Sequence, residues 1–193
     1  LARDPDVAVL DAGHIPGSSM FLVSGERSVL YTGDFCTRKK AHLDPARPVK
    51  CDELVVEATY GRPRYVFPDH EEILGVARDW LQDLIGHGKS AVLYAYPLGK
   101  SQELSLAFRD LPLRLHPSIA ESNRVLCRHG YDLCVDEMDE RGPGGPVVYI
   151  TSGMGKDKER VLRMRKEGAK TAAFSGWALD RRFSYTTTID EGF

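Results

Sequence analysis

The chain has 193 residues, which is enough for one domain and part of a second. Its hydrophobic content of 42%, its charged content of 28% and its mean hydropathy of −0.32 indicate a soluble globular protein. The net charge of −2 excludes an overall basic field, although a local groove can still be basic.

The four cysteines form no C-x-x-C pair, and a chain of this length is not a disulfide scaffold, so we expect reduced thiols. The sequence has no signal peptide and no apolar run near 18 residues, which predicts a cytoplasmic protein without a membrane partner. Because the chain opens without Met and closes where a strand-like segment ends, we expect it to be part of a longer protein.

The first predicted elements are short strands. VAVL at residues 7–10 precedes a hairpin whose arms are MFLV at 20–23 and SVLYT at 28–32, joined by SGER. If residues 23 and 28 face each other, Ser19 lies opposite Thr32. His14 and Asp34 then lie beyond the open end of the hairpin, within reach of one small ion or ligand.

Another interpretation of these two residues stays open. A single loop histidine is commonly a surface or capping residue, and Gly-Asp after a strand is an ordinary turn. Two side chains also fall short of the three protein ligands that a catalytic zinc ion usually takes.

The next strand, Leu54 to Glu57, again ends at an acidic residue, and the first 60 residues are predicted to form antiparallel β-structure. A helix follows, with Asp69 as its N-cap and its end at Gly86 or Gly88. From about residue 66 to 180, strands and helices alternate, which predicts a mainly parallel α/β sheet. The buried strands of this region are expected in SAVLYAYPLG, in PVVYITSG and in TAAFSGWAL.

Two strand-to-helix corners of this region predict anion contacts. Gly99, Lys100 and Ser101 open one helix, and Ser152 and Gly153 precede another, where backbone N–H groups can bind phosphate. Glycines that serve only tight packing are the alternative for either corner. The basic run KDKERVLRMRKEGAK is expected to be mainly a solvated helix face.

The strings AGHIPGSSMFLV, LYTGDF, VVEATYG, PLGKSQEL, TSGM and FSGW together resemble the metallo-β-lactamase-fold nucleases of the β-CASP family, over almost the whole chain. The resemblance implies an α/β fold: a partial metallo-β-lactamase αββα sandwich, then a β-CASP α/β domain with a mainly parallel sheet. The implied domains are residues 1–65, residues 66–185 and a return segment to the first domain at 186–193.

The resemblance also implies roles for individual residues. His14 would bind one zinc ion, Asp34 would bridge two and act in catalysis, and Glu57 would orient a ligand or the nucleophile. The two corners would hold phosphates of a single strand. The H-x-H-x-D-H motif and the closing histidine motif of the family are absent, so the chain is either an excerpt of an active nuclease or a degenerate member.

The leading hypothesis is a zinc-dependent nuclease that hydrolyses single-stranded nucleic acid, with RNA favoured over DNA and room for a homodimer. The alternative is a non-catalytic binding or scaffold subunit with a degenerate metal site. A hydrolase of small esters is a third interpretation, and the β-CASP-like insertion argues against it.

Overall fold

The computed structural model describes residues 6–139, 144–152, 157–176 and 189–193. The chain divides into two units, one ending at Gly61 and the other beginning at Arg62. The sequence placed this boundary after residue 65, a few residues later. Among the described residues, each unit has one β-sheet, and the two sheets differ in strand direction.

The first unit is a four-stranded sheet in which the strands follow chain order. The first three strands pair antiparallel, as predicted, whereas the fourth runs parallel to the third. The prediction of an entirely antiparallel region is therefore wrong for the last strand. The strands are β1 (Val7–Asp11), β2 (Ser19–Val23), β3 (Val29–Tyr31) and β4 (Glu53–Val55).

The pairing of β2 with β3 is shifted by one residue from the prediction. Val23 lies opposite Val29 rather than Ser28, so Ser19 does not face Thr32. Side chains alternate between the two faces of a sheet along each strand. A shift of one residue in the pairing therefore changes which side chains of β2 and β3 lie on the same face.

Ser28 leaves the hairpin because it bonds to the chain just before β4. Its backbone N–H and its hydroxyl donate to Asp52 Oδ2 at 2.8 and 2.7 Å, and the N–H of Asp52 donates back to Ser28 Oγ at 3.0 Å. These bonds lower the pKa of the Asp52 carboxyl, the backbone bond contributing most. They also anchor the start of β4 beside β3.

The first sheet buries one face. Met20 and Leu30 are buried there together with Ala12 and Ala46 from the loops. On the other face, one row of paired residues across the four strands is exposed, namely Val9, Phe21, Tyr31 and Val55. The core of this unit therefore lies on one side of its sheet.

In the described part of the second unit, five parallel strands have the order β6-β7-β5-β8-β9, which confirms the predicted parallel α/β sheet. Its helices are α1 (His70–Gly86), α2 (Lys100–Ala107), α3 (Pro117–Arg128) and α4 (Asp157–Lys166). Its strands are β5 (Ala91–Tyr94), β6 (Leu113–Leu115), β7 (Val148–Thr151), β8 (Lys170–Ala173) and β9 (Glu191–Gly192).

The central strands of this sheet are buried on both faces. Leu93 and Ile150 pack in one apolar cluster with residues of α1, α2 and α3, whereas Val92 and Tyr149 pack in a second cluster with residues of α4. A fully buried leucine contributes about 1.5–3 kcal/mol relative to an exposed one, so these two layers provide the main stabilisation of the unit.

Helix α1 begins where the sequence predicts. Oδ1 of Asp69 accepts hydrogen bonds from the N–H groups of Glu71 and Glu72 at 2.9 and 3.2 Å, so Asp69 is the N-cap.

Within the described ranges, no helix is long and apolar enough to cross a membrane.

The end of the described chain differs from the prediction. The segment 186–193 was expected to return to the first domain, but Glu191–Gly192 forms β9 beside β8. Phe193 explains this position, because its ring stacks on Phe174 at 5.1 Å and meets Trp80 edge-on at 5.8 Å between ring centroids.

Candidate functional site

Three loops of the first unit meet at one edge of its sheet. His14 lies between the end of β1 and the start of β2, Asp34 follows β3, and Glu57 follows β4. Because β1 and β2 are antiparallel, β2 and β3 are antiparallel, and β3 and β4 are parallel, all three positions belong to the same edge. Strand pairing therefore brings the three predicted residues to one side of the unit.

The backbone of His14 is held at both of its polar groups. Ser18 Oγ accepts from the N–H groups of His14 and Ile15, each at 3.1 Å, and Nζ of Lys40 donates to the carbonyl of His14. The loop also closes on itself, because the N–H of Ala12 donates to the carbonyl of Ser18 at 3.0 Å. The imidazole thus projects from a fixed, half-buried position.

Gly13 allows the neighbouring loops to approach this backbone. It has a φ of +62°, and a Cβ at this position would lie 2.6 Å from the nitrogen of Ala46, 2.7 Å from the carbonyl oxygen of Cys36 and 2.8 Å from that of Asp44. The N–H of Cys36 also donates to the carbonyl of Ala12 at 2.8 Å. Only glycine fits this close contact without displacing the backbone.

Glu57 is electrostatically coupled to the other two loops. Its Oε2 accepts from the N–H of Thr59 at 3.0 Å. The hydroxyl and then the N–H of Thr59 lower the pKa of the Glu57 carboxyl, burial raises it by less than these bonds lower it, and the imidazole of His14 and the N–H of Phe35 lower it by smaller amounts. Glu57 is therefore ionised at neutral pH and accepts hydrogen bonds or cations.

The described residues do not contain a complete metal centre. No three His, Cys, Asp or Glu side chains within residues 6–139, 144–152, 157–176 and 189–193 are placed to hold a metal ion. Asp34 is exposed, whereas His14 and Glu57 are half-buried. The zinc-binding roles of His14 and Asp34 stay predictions.

At the first predicted anion corner, the polar groups are engaged within the protein. The N–H of Gly99 donates to Gln102 Oε1 at 2.6 Å, and the N–H of Ser101 donates to the carbonyl of Tyr96 at 3.3 Å. The hydroxyl of the fully buried Ser101 donates to the carbonyl of Pro97 at 2.9 Å. These bonds fix the loop before α2, but they also occupy the groups that the sequence assigned to phosphate.

Lys100 belongs to a charged cluster that the sequence analysis missed. Its Nζ lies 2.6 Å from Glu103 Oε2, and His70 Nε2 lies 2.9 Å from Glu103 Oε1. Glu103 is only 4% exposed, so its buried carboxylate needs a partner, and the ammonium group of Lys100 provides the opposite charge. Lys100 itself is half-buried and keeps a partly exposed side chain. The i, i+3 spacing of Lys100 and Glu103 was the signal in the sequence.

The second predicted corner is described only in part. Ser152 is half-buried, and Gly153 lies outside the described residues. Just beyond, the buried Asp157 accepts from the hydroxyls of Tyr149, at 2.7 Å, and Thr151. Burial and then this bond raise the pKa of Tyr149. Asp157 was missed because its partners lie on the preceding strand.

Comparison with known proteins identifies relatives of this chain. A probable DNA ligase of Opitutus terrae is 35% identical over all of the chain, which covers 19% of that protein. Cleavage and polyadenylation specificity factor 73 of Drosophila melanogaster is 27% identical over 67% of the chain and 20% of its own length. RNase aCSPSF2 of Saccharolobus solfataricus is 32% identical over 55% of the chain and 22% of its own length.

No family model matches the chain. The chain spans about a fifth of the length of each of these three relatives. The similarity therefore concerns one segment of much longer proteins.

Proposed function

We propose that this chain, which belongs to the β-CASP family of metallo-β-lactamase-fold nucleases, is part of a nuclease that hydrolyses phosphodiester bonds of single-stranded nucleic acid. The observation that carries the proposal is the meeting of His14, Asp34 and Glu57 at one edge of the first sheet. A cytoplasmic location belongs to the same proposal.

The cofactor in this proposal is zinc, two ions in a complete site. Imidazole and carboxylate are ordinary zinc ligands, so the donor chemistry of His14 and Asp34 fits. Two ligands do not suffice, and a complete centre therefore needs donors outside the described residues. When bound, zinc would act as a Lewis acid and lower the pKa of water towards about 7.

The protein residues have separate tasks in this proposal. His14 and Asp34 would hold the cofactor on loops that Gly13 and Ser18 keep in place. Glu57, whose carboxyl pKa is lowered, would stay deprotonated and orient the His14 imidazole or accept a proton; it is unsuited to act as a general acid at neutral pH.

RNA is the proposed substrate class, and two relatives support it by their names: the RNase of Saccharolobus and the polyadenylation factor of Drosophila. DNA is the second candidate, because a relative that matches the chain over its whole length is a probable DNA ligase. Cleavage rates on RNA and DNA strands of the same sequence separate the two.

A non-catalytic binding or scaffold subunit is the alternative function. The lack of a three-ligand group in the described residues is the observation that favours it. Such a subunit would bind a single strand and leave it uncut at any zinc concentration.

The test is cleavage of an end-labelled single strand by the intact gene product, with and without a chelator. We expect Asp34→Asn to abolish cleavage and Glu57→Gln to lower it by about 10- to 100-fold, as for residues that orient metal ligands. Asp79→Asn, an exposed position on α1, is the matched control and should cleave normally. Cleavage by Asp34→Asn at the normal rate would refute the proposal.

A further inference from the structure

The second unit begins with a short segment that combines arginines with aromatic rings. Residues 62–68 have the sequence RPRYVFP, with two cations and no acidic residue. We infer that Arg64, Tyr65 and Phe67 form a platform on which bases of a single-stranded nucleic acid stack. This inference rests on the proposed substrate class and adds a binding site to it.

The two rings are already arranged for stacking. The rings of Tyr65 and Phe67 lie nearly parallel, 11° apart, with their centroids separated by 6.4 Å. Pro68 restricts Phe67 to extended backbone, in which residues i and i+2 project to the same side, and this is consistent with the arrangement of the two rings. A base can extend such a stack because every base has a π-face.

A guanidinium group completes the platform. Cζ of Arg64 lies 4.8 Å from the centroid of the Tyr65 ring, and its Nη2 donates to the hydroxyl of the same tyrosine at 2.9 Å. A guanidinium plane both stacks on bases and attracts phosphates. Arg64 can therefore contribute to the two contacts that hold a single strand, base stacking and phosphate binding.

The backbone holds the platform in advance of binding. The N–H of Tyr65 donates to the carbonyl of Arg62 at 3.0 Å, which closes a turn with Pro63 at its second position, where proline is favoured. Pro68 follows Phe67 and restricts that residue to extended backbone. A restricted segment loses less conformational entropy on binding.

The platform faces solvent through Phe67 and Arg64, whereas Tyr65 is half-buried. Phe67 is 46% exposed, and Arg62 and Arg64 are exposed as well. A large apolar ring gains free energy when a partner covers it. Two arginines in a segment without acidic residues favour a partner with phosphates over an apolar protein surface. Aromatic rings beside these arginines are typical of sites that bind a single strand without sequence preference.

The experiment is fluorescence anisotropy with labelled oligouridylate and oligothymidylate, in a chelator so that no strand is cut. We expect Phe67→Ala to weaken binding of the preferred strand by roughly five- to 150-fold, the loss for one stacked base. Phe67→Tyr should restore binding. Val66→Ala is the matched control, because this adjacent aliphatic residue is 76% exposed and should make no stacking contact.

An abasic strand of equal length separates stacking from other effects. The difference between the wild-type protein and Phe67→Ala should vanish on this strand, and the salt dependence of binding should be the same for both proteins, since no phosphate contact is lost. A photocrosslink from 5-iodouracil to Tyr65 or Phe67, mapped by mass spectrometry, would support the platform without any substitution.

Two results overturn the inference: Phe67→Ala binds the ordinary strand as tightly as the wild-type protein, or it loses affinity equally on the abasic strand. These outcomes are independent of cleavage. A protein that cuts but shows either result lacks the platform and is still a nuclease, whereas a protein that stacks bases and never cuts refutes only the proposed function.

Discussion

Gln102 connects the loop before α2 to the rest of the second unit through a buried amide network. Its side chain is inaccessible, Nε2 donates to Asn123 Oδ1 at 2.7 Å and to the carbonyl of Pro97 at 3.1 Å, and Oε1 accepts from the N–H of Gly99 at 2.6 Å. Nδ2 of Asn123 in turn donates to the carbonyl of Cys134 at 2.6 Å. We predict that this network is a main determinant of the stability of the unit.

The substitution Gln102→Leu keeps most of the side-chain volume and removes every bond of the amide. It leaves two buried groups without a partner, Oδ1 of Asn123 and the N–H of Gly99. An unsatisfied buried group costs about 1–3 kcal/mol, so we expect the free energy of unfolding to fall by about 2–6 kcal/mol. Urea unfolding followed by circular dichroism measures this change.

Gln82 provides the matched control, because it is exposed on α1 and the same change to Leu should alter stability by no more than about 0.5 kcal/mol. The double variant Gln102→Leu/Asn123→Leu should lose less stability than the sum of the two single variants, since neither partner is then left unpaired. Equal stability of Gln102→Leu and Gln82→Leu would show that the amide network does not stabilise the unit.

Three further substitutions test Gly13, Asp110 and Lys100, one residue at a time. Gly13→Ala should lower the unfolding temperature far more than Gly17→Ala, because both have positive φ but only Gly13 has backbone atoms within 3 Å of the added Cβ. Hydrogen bonds from Arg78 hold the pKa of the Asp110 carboxyl below its ordinary value. Asp110→Asn should therefore lower the free energy of unfolding at neutral pH, by less than about 1 kcal/mol because the pair is exposed. This difference between wild type and variant should vanish as the pH falls through the lowered pKa. The sequence predicts that Lys100, whose side chain stays partly exposed beside Glu103, also contacts phosphate; Lys100→Ala should then weaken single-strand binding and reduce the slope of log affinity against log salt by about 0.7, and an unchanged slope would remove Lys100 from the interface.

Local sequence patterns were sufficient for most elements. Apolar strands and the N-cap Asp69 identified the helices and the parallel sheet, because these signals lie within a few residues of the element that they define. The register of the hairpin was wrong because it depends on the bonds between Ser28 and Asp52, which are distant in the sequence.

In the candidate site, too, some features were predictable from the sequence and others depend on contacts within the folded structure. The predicted hairpin placed His14 and Asp34 at one edge of the sheet, and Glu57, which the resemblance assigned to the same site, lies at that edge because β4 pairs parallel to β3. The anion corner could not be predicted in detail, because the N–H of Gly99 is taken by a side chain that reaches back from the first turn of α2. The contact between His70 and the buried Glu103 depends on packing of α1 against α2, which no local pattern encodes, whereas the pair of Lys100 with Glu103 lies within α2.

The zinc content of the purified intact protein shows whether the sheet edge that carries His14 and Asp34 binds metal. We expect about two zinc ions per chain, as a two-metal site requires. The zinc content should decrease clearly in His14→Ala and stay the same in His87→Ala, which changes an exposed histidine after α1. Wild-type protein without zinc, or a zinc content unaltered by His14→Ala, would contradict this expectation.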